Sequence, residues 1–315
     1  MPLLPPFVIT TIHTYFGDRG REWIDALPAT IAARCEAWGL TVTGSALDGG
    51  THSYVAPVSR ADGSPAVLKL PIVDEENLAE ATALRLYDGD GAVRLYDFDP
   101  VSGAILMEAA IPGGPLVVQG DGPHREGRPE HADEVRLGCE LYRRLWRVSS
   151  DVVDGYPAFP LVTDLVAQWG DDIPKLAAAA PAGTIPSRLL DLGEAAFARM
   201  STPDGQIGVV NRDTHLGNIV AAGREPWLLI DPKPLLGERA FDAGYLTAIQ
   251  VEPDPTVRQA RLAIERTARW LDVDPDRVAD WAFLRALENT VWAFGADTTD
   301  DADLQLAVAV ALADR

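Results

Sequence analysis

The chain has 315 residues, 47% hydrophobic and 23% charged, the balance of a folded globular protein and not of a disordered one. Its formal net charge of −20 argues against nucleic acid or an anionic membrane surface as partner and is compatible with a cationic small molecule. Cys35 and Cys139 have no metal-ligand spacing, and no apolar run approaches the ~20 residues that span a bilayer. The expectation is a reduced, cytoplasmic monomer or weak dimer that acts on a small molecule.

Residues 1–40 are Pro-rich at the start and then helical, over Gly20–Pro28 and Ile31–Trp38, with Gly39 as a helix stop. Leu40–Leu47 and Thr51–Val58 read as strands around Asp48-Gly49-Gly50, a hairpin signal whose glycines would let backbone N–H groups approach phosphates. A third strand, Ala66–Leu70, carries Lys69 inside an apolar run, where a lysine needs a partner or an exposed edge. The helix expected over Asp74–Tyr87 offers Glu76 and Glu80 on one face at i, i+4 spacing, with Glu80 favoured as that partner. Two further strands, Ala92–Phe98 and Ala104–Glu108, complete a five-stranded lobe over residues 1–110. Met107 and Glu108 then stand at a hinge where backbone groups would recognise a nucleotide base.

Residues 111–132 are rich in Gly, Pro and charge and read as a linker or surface loop. Helices are expected over Asp133–Arg147 and Ser187–Met200, with Asp151–Pro186 mixed, and again over Thr256–Leu271, Pro275–Thr290 and Asp303–Leu312. Residues 111–315 would thus form a helical lobe. The class is α+β, with a β-rich N-terminal lobe and a helical C-terminal lobe.

The stretch that carries chemistry is Val209-Val210-Asn211-Arg212-Asp213-Thr214-His215-Leu216-Gly217-Asn218, followed by Trp227-Leu228-Leu229-Ile230-Asp231. Ala222–Pro226 reads as a hairpin turn that would bring Asp213, Asn218 and Asp231 together. An Asp, an Asn five residues on, and an Asp after the returning strand is the arrangement of a kinase catalytic centre. The first Asp would take the proton of the attacking hydroxyl. Asn218 and Asp231 would hold Mg²⁺, which suits hard oxygen donors and few protein carboxylates, and Lys69 with Glu80 would position the phosphates of ATP.

Asp213-x-His215-x-Gly217-Asn218 and Ile230-Asp231-Pro232-Lys233-Pro234 resemble the aminoglycoside phosphotransferase family, in its streptomycin 6-phosphotransferase and hydroxyurea-resistance branch. Gly89–Leu95 and Gly20-x-x-Trp23 with Leu27-Pro28 fit the same branch, so the resemblance covers most of the chain. It implies a protein-kinase-like bilobal fold, ATP with Mg²⁺, and phosphoryl transfer to a hydroxyl of a small molecule of the aminoglycoside or a related antibiotic class. It assigns Asp213 as catalytic base and gives His215 a structural role in the loop. One departure is notable: the family usually has His-Gly before the catalytic Asp, and this chain has Asn211-Arg212. That pair alters the loop or places a cation near the γ-phosphate, and it leaves a nucleotide-binding pseudokinase, or a kinase of metabolite alcohols, as alternatives. For the acceptor pocket, Asp242, Glu252, Asp254 and Glu288 are candidates by position.

Overall fold

The computed structural model describes residues 3–47, 52–117, 132–147, 154–181, 183–295 and 299–315. The Gly49-Gly50 turn and most of the loop expected at 111–132 lie outside them. The chain divides into two compact units. One comprises Met1–Gly114 with Val152–Ala158 and Ala221–Ile230; the other comprises Pro115–Asp151, Phe159–Val220 and Asp231–Arg315.

The first unit is built on a long helix, α1 (Pro6–Trp38), and a five-stranded antiparallel sheet. The strands are β1 (Thr41–Val42), β2 (Ser53–Ser59), β3 (Pro65–Pro71), β4 (Leu95–Asp99) and β5 (Ala104–Glu108), in the order β1-β2-β3-β5-β4. The helix is longer than its sequence suggests. It begins at Pro6, where a missing N–H costs nothing, kinks at Gly17 and runs through Pro28. It stops at Gly39, whose left-handed φ of 62° turns the N–H back to the Cys35 and Glu36 carbonyls. The first strand is shorter than expected, two residues instead of eight.

Period-2 alternation sorts the sheet's two faces. Ala66, Leu68 and Leu70 of β3 join Tyr54, Ala56 and Val58 of β2 and Leu106 of β5 in one buried cluster with Val8, Ile12, Leu27 and Ile31 of α1. Lys69, between Leu68 and Leu70, therefore projects from the opposite face, where it lies in register with Val55 and Ile105. Helix α2 (Glu80–Tyr87) begins six residues later than the expected start at Asp74. The residues before it are held as a turn, because Asp74 Oδ1 accepts from the N–H groups of Glu76 and Asn77 while Asn77 Oδ1 accepts from Asp74 N–H.

A short strand, β6 (Pro112–Pro115), precedes the second unit's helices α3 (Ala132–Leu145), α4 (Val162–Ala179) and α5 (Ser187–Met200). Strand β7 (Ile207–Asn211) leads into a single 3-10 turn, Leu216–Asn218, and then into β8 (Ile219–Ala222) and β9 (Trp227–Leu229). Strand β10 (Pro234–Glu238) returns antiparallel to β7, pairing Pro234 with Asn211 and Glu238 with Ile207. Helices α6 (Ala243–Val251), α7 (Val257–Leu271), α8 (Pro275–Gly295) and α9 (Thr299–Ala313) complete the unit. Thr256 caps α7 through its side chain, which accepts from Gln259 N–H. Buried Glu238 anchors α8 to β10, accepting from Arg277 Nε at 3.0 Å and from Arg277 Nη2 and the Trp281 indole. Among the described residues no helix is long and apolar enough to cross a membrane.

Candidate active site

In the first unit the Lys69 ammonium lies 2.6 Å from Glu80 Oε2, with the two side chains 7% and 0% exposed. Strand alternation puts the lysine on the α2 side of the sheet, and Glu80 sits in the first turn of α2 to meet it. Glu76 lies in the turn before the helix.

Met107 is buried at the end of β5. The Glu108 side chain accepts from Arg224 Nε at 3.0 Å and Nη2 at 2.9 Å, and from Arg94 N–H at 3.0 Å. Burial opposes ionisation of Glu108, but the Arg224 and Arg94 hydrogen bonds outweigh it and hold its carboxyl below the usual range. Arg224, from the β8–β9 turn, also donates to the carbonyls of Gly89 and Ala92 at 2.6 and 3.0 Å. It thus ties three separate stretches of this unit together, a role that nothing in its local sequence announces.

In the second unit the loop after β7 is clamped from several sides. Asn211, buried at 3% exposure, donates Nδ2 to Asp213 O at 2.9 Å and accepts at Oδ1 from the N–H groups of Asp213 and Lys233, at 3.3 and 2.8 Å. Its own N–H donates to Asp242 Oδ1 at 2.7 Å, and Trp146 Nε1 donates to Asp242 Oδ2 at 2.7 Å. Burial pushes the Asp242 carboxyl up to about 7, with the Asn211 and Trp146 hydrogen bonds acting against it. Asp242 is therefore a loop anchor and not a ligand for an acceptor. Arg212 N–H donates to Lys233 O at 2.8 Å, so the segment after Asp231 is stitched to the residues before Asp213.

Asp213 emerges half-buried from this clamp. Its Oδ1 accepts from His215 N–H at 3.3 Å and its Oδ2 accepts from Asn218 Nδ2 at 3.0 Å. Burial pushes His215 below the usual imidazole range, although the Asp213 charge opposes this, and its Nδ1 accepts from Gly217 N–H at 2.9 Å. His215 thus shapes the turn as a neutral ring. Asp231 follows β9 with a left-handed φ of 49°, a conformation that short Asp side chains tolerate and that ends the strand. The structure joins Asp213 and Asn218 directly and links the 231–234 segment to them through Asn211 and Lys233.

The departure at Arg212 resolves locally. Its guanidinium lies 3.6 Å from Glu288 Oε1, and Arg285 donates to Glu288 Oε2 at 2.7 Å. Burial works against the charge of Arg285, but the carboxylates of Glu288 and Asp213 raise its pKa. Glu288 is thereby committed to two arginines. Of the other acids considered for an acceptor, Glu252 accepts from Gln305 Nε2 at 3.1 Å and Asp254 is exposed beside the α7 cap.

The sequence profile of a family described as aminoglycoside/hydroxyurea antibiotic resistance kinase matches residues 37–296. The chain belongs to this family. It is 34% identical over 303 residues to a streptomycin 6-kinase from Streptomyces glaucescens, covering 94% of this chain and 92% of that one. It is 33% identical over 300 residues to a hydroxyurea phosphotransferase from Kitasatospora aureofaciens, covering 92% and 79% respectively. The fold matches a choline/ethanolamine kinase family protein from Mesorhizobium loti, with TM-score 0.60 and 17% identity over 92% of this chain and 95% of that one. It also matches an aminoglycoside phosphotransferase, APH(4)-Ia, crystallised with ADP and hygromycin B, with TM-score 0.58 and 12% identity over 90% and 97%. The chain is thus a member of a family of small-molecule kinases, with the α+β fold of these phosphotransferases.

Proposed function

We propose that the protein transfers the γ-phosphoryl group of ATP, in the cytoplasm, to a hydroxyl of an aminoglycoside-type or related small antibiotic, with Asp213 as the catalytic base. The observation that carries this reading is the Asp213–Asn218 hydrogen bond on a loop clamped by Asn211 and Asp242. Asp213 would orient the acceptor hydroxyl and take its proton as the oxygen bonds to phosphorus and ADP departs. Lys69, held by Glu80, would grip the α- and β-phosphates, and backbone groups at Met107 and Glu108 and at the Gly49-Gly50 turn would receive the base and phosphates.

The donor set fits Mg²⁺. Asn218 spends its Nδ2 on Asp213, which leaves its carbonyl oxygen for a cation, and Asp231 supplies a carboxylate, so the donors are hard oxygens with few charges. Mg²⁺ bound there would neutralise the developing charge on the phosphates. The relatives named for streptomycin and hydroxyurea support an antibiotic acceptor, whether cationic or small and neutral.

Purified protein with Mg·ATP should release ADP in step with phosphorylated product for at least one member of a panel of hydroxylated amines, aminoglycosides and hydroxyurea. Nucleotide binding with no turnover across the panel would favour the pseudokinase. Phosphorylation of a neutral metabolite far above any antibiotic would favour a metabolite kinase.

A further inference from the structure

The stretch between α2 and β4 in the first unit has an irregular backbone. Gly89 and Gly91 both have left-handed φ, 80° and 79°, so residues 89–92 do not form a regular ladder with a neighbour. Their carbonyls need donors all the same. Arg224, in the β8–β9 turn, supplies two of them: Nη1 donates to Gly89 O at 2.6 Å and Nη2 to Ala92 O at 3.0 Å. Nε and Nη2 also donate to Glu108 Oε1 and Oε2, at 3.0 and 2.9 Å, and Nη1 donates to Glu225 Oε1 at 2.7 Å. All five N–H donors of the guanidinium are thereby spent on this unit, with the Arg224 and Glu108 side chains only 23% and 14% exposed. Such a group fixes backbone; it has nothing left for an anion.

The stretch that Arg224 holds in turn grips the strand that leads to Asp231. Leu229 N–H donates to Gly91 O at 2.9 Å, and Leu229 O accepts from Val93 N–H at 3.0 Å. Strand β9 is the edge of the β6-β8-β9 sheet, and these bonds secure its outer side. Glu108 closes the frame at the end of β5, where its Oε2 accepts from Arg94 N–H at 3.0 Å and its own N–H donates to Arg94 O at 2.9 Å. Leu229 is the last residue of β9, and Asp231 stands two residues beyond it with its φ of 49°. The direction in which the chain leaves β9 therefore depends on the Leu229 bonds, and those depend on a segment pinned by Arg224 at Gly89 and Ala92.

We propose that Arg224 is a positioning residue for phosphotransfer: it fixes residues 89–93 against β9 and so sets where Asp231 presents its carboxylate to Mg²⁺. This role rests on the reading of Asp231 as a metal ligand. A lysine could pair with Glu108 but could not span a carboxylate and two carbonyls at once, so the planar fork of arginine is required.

Isothermal titration of the full chain with the ATP analogue AMP-PNP, with and without Mg²⁺, tests it. In wild type Mg²⁺ should tighten binding. Arg224→Met should cut that gain at least fivefold, and Arg224→Lys, which keeps a charge for Glu108, at least threefold. The gain is a ratio of two affinities of the same folded protein, so a loss of stability or of base recognition alone does not move it. Should Arg224→Met fail to fold, Arg224→Lys decides the matter. An unchanged gain in either folded variant would overturn the role of Arg224, even if affinity without Mg²⁺ fell. A wild type that gains nothing from Mg²⁺ would instead overturn the reading of Asp231, and the role of Arg224 with it, before any variant is made.

Discussion

Removing the carboxylate from the Lys69–Glu80 pair breaks a buried ion pair in the first unit. Nζ lies 2.6 Å from Oε2 and the side chains are 7% and 0% exposed, so water does not replace a lost partner. At an effective dielectric of about 20, the gross attraction at that separation is about 6 kcal/mol. Desolvation offsets much of this, and breaking a buried pair from one side costs about 3–5 kcal/mol, mostly because the remaining buried charge loses this compensation. Glu80→Gln keeps the shape, so it should destabilise by that amount in urea unfolding at neutral pH, out of a total near 5–15 kcal/mol. The double variant Lys69→Met, Glu80→Leu removes both charges of this pair and should be more stable than Glu80→Gln, while losing nucleotide affinity. A loss under about 1 kcal/mol in Glu80→Gln, the scale of exposed ion pairs, would refute the argument. So would a double variant that is as unstable as the sum of its singles.

Three further outcomes follow from the second unit. Asp231→Asn should weaken Mg²⁺-dependent nucleotide binding by calorimetry, because a carboxylate leaves the metal's shell; unchanged affinity and turnover would contradict the assignment. Asn211→Ala removes three loop hydrogen bonds and should cost about 2–4 kcal/mol and lower kcat more than it raises KM, measured by urea unfolding and steady-state kinetics. The Asp242 carboxyl is raised from 3.8 to about 7 in the folded protein, so the folded state holds its proton more tightly. Its stabilising contribution is present below about pH 4 and is lost as pH rises toward 7, a loss on the order of 4 kcal/mol. Asp242→Asn should flatten that slope; a wild-type stability that rises through this window relative to the variant would show the sign to be wrong.

The parts of this architecture legible in the sequence are those set by short-range pattern. Asp213 and Asn218 are five residues apart in a polar loop between apolar runs, and the 3-10 turn at Leu216–Asn218 folds them into hydrogen-bond contact. Lys69 stood out because an ammonium in an apolar strand requires a partner, and alternation puts it opposite the α1 face. The unread parts depend on competition or distance. Helix α4 was obscured by Gly170 and Pro174 within it, which lower helix propensity although burial of Leu165, Trp169 and Ile173 holds the helix. The start of α2 shifted because Asp74 and Asn77 cap the backbone locally. The Asn211–Asp242–Trp146 clamp joins residues up to 96 apart in sequence, and Arg224 reaches 135 residues back to Gly89, so no local pattern could show either.

The most direct test of the account is the turnover of Asp213→Asn. The substitution keeps the side chain's shape and one of its two accepted hydrogen bonds, from His215 N–H or Asn218 Nδ2, while removing the base, so the overall fold and Mg·ATP binding should survive. With an acceptor that wild type phosphorylates, kcat should fall by about 10²-fold or more, the scale on which a general base contributes. A variant that binds Mg·ATP normally and turns over at a near-native rate would contradict the assignment of Asp213 as the catalytic base.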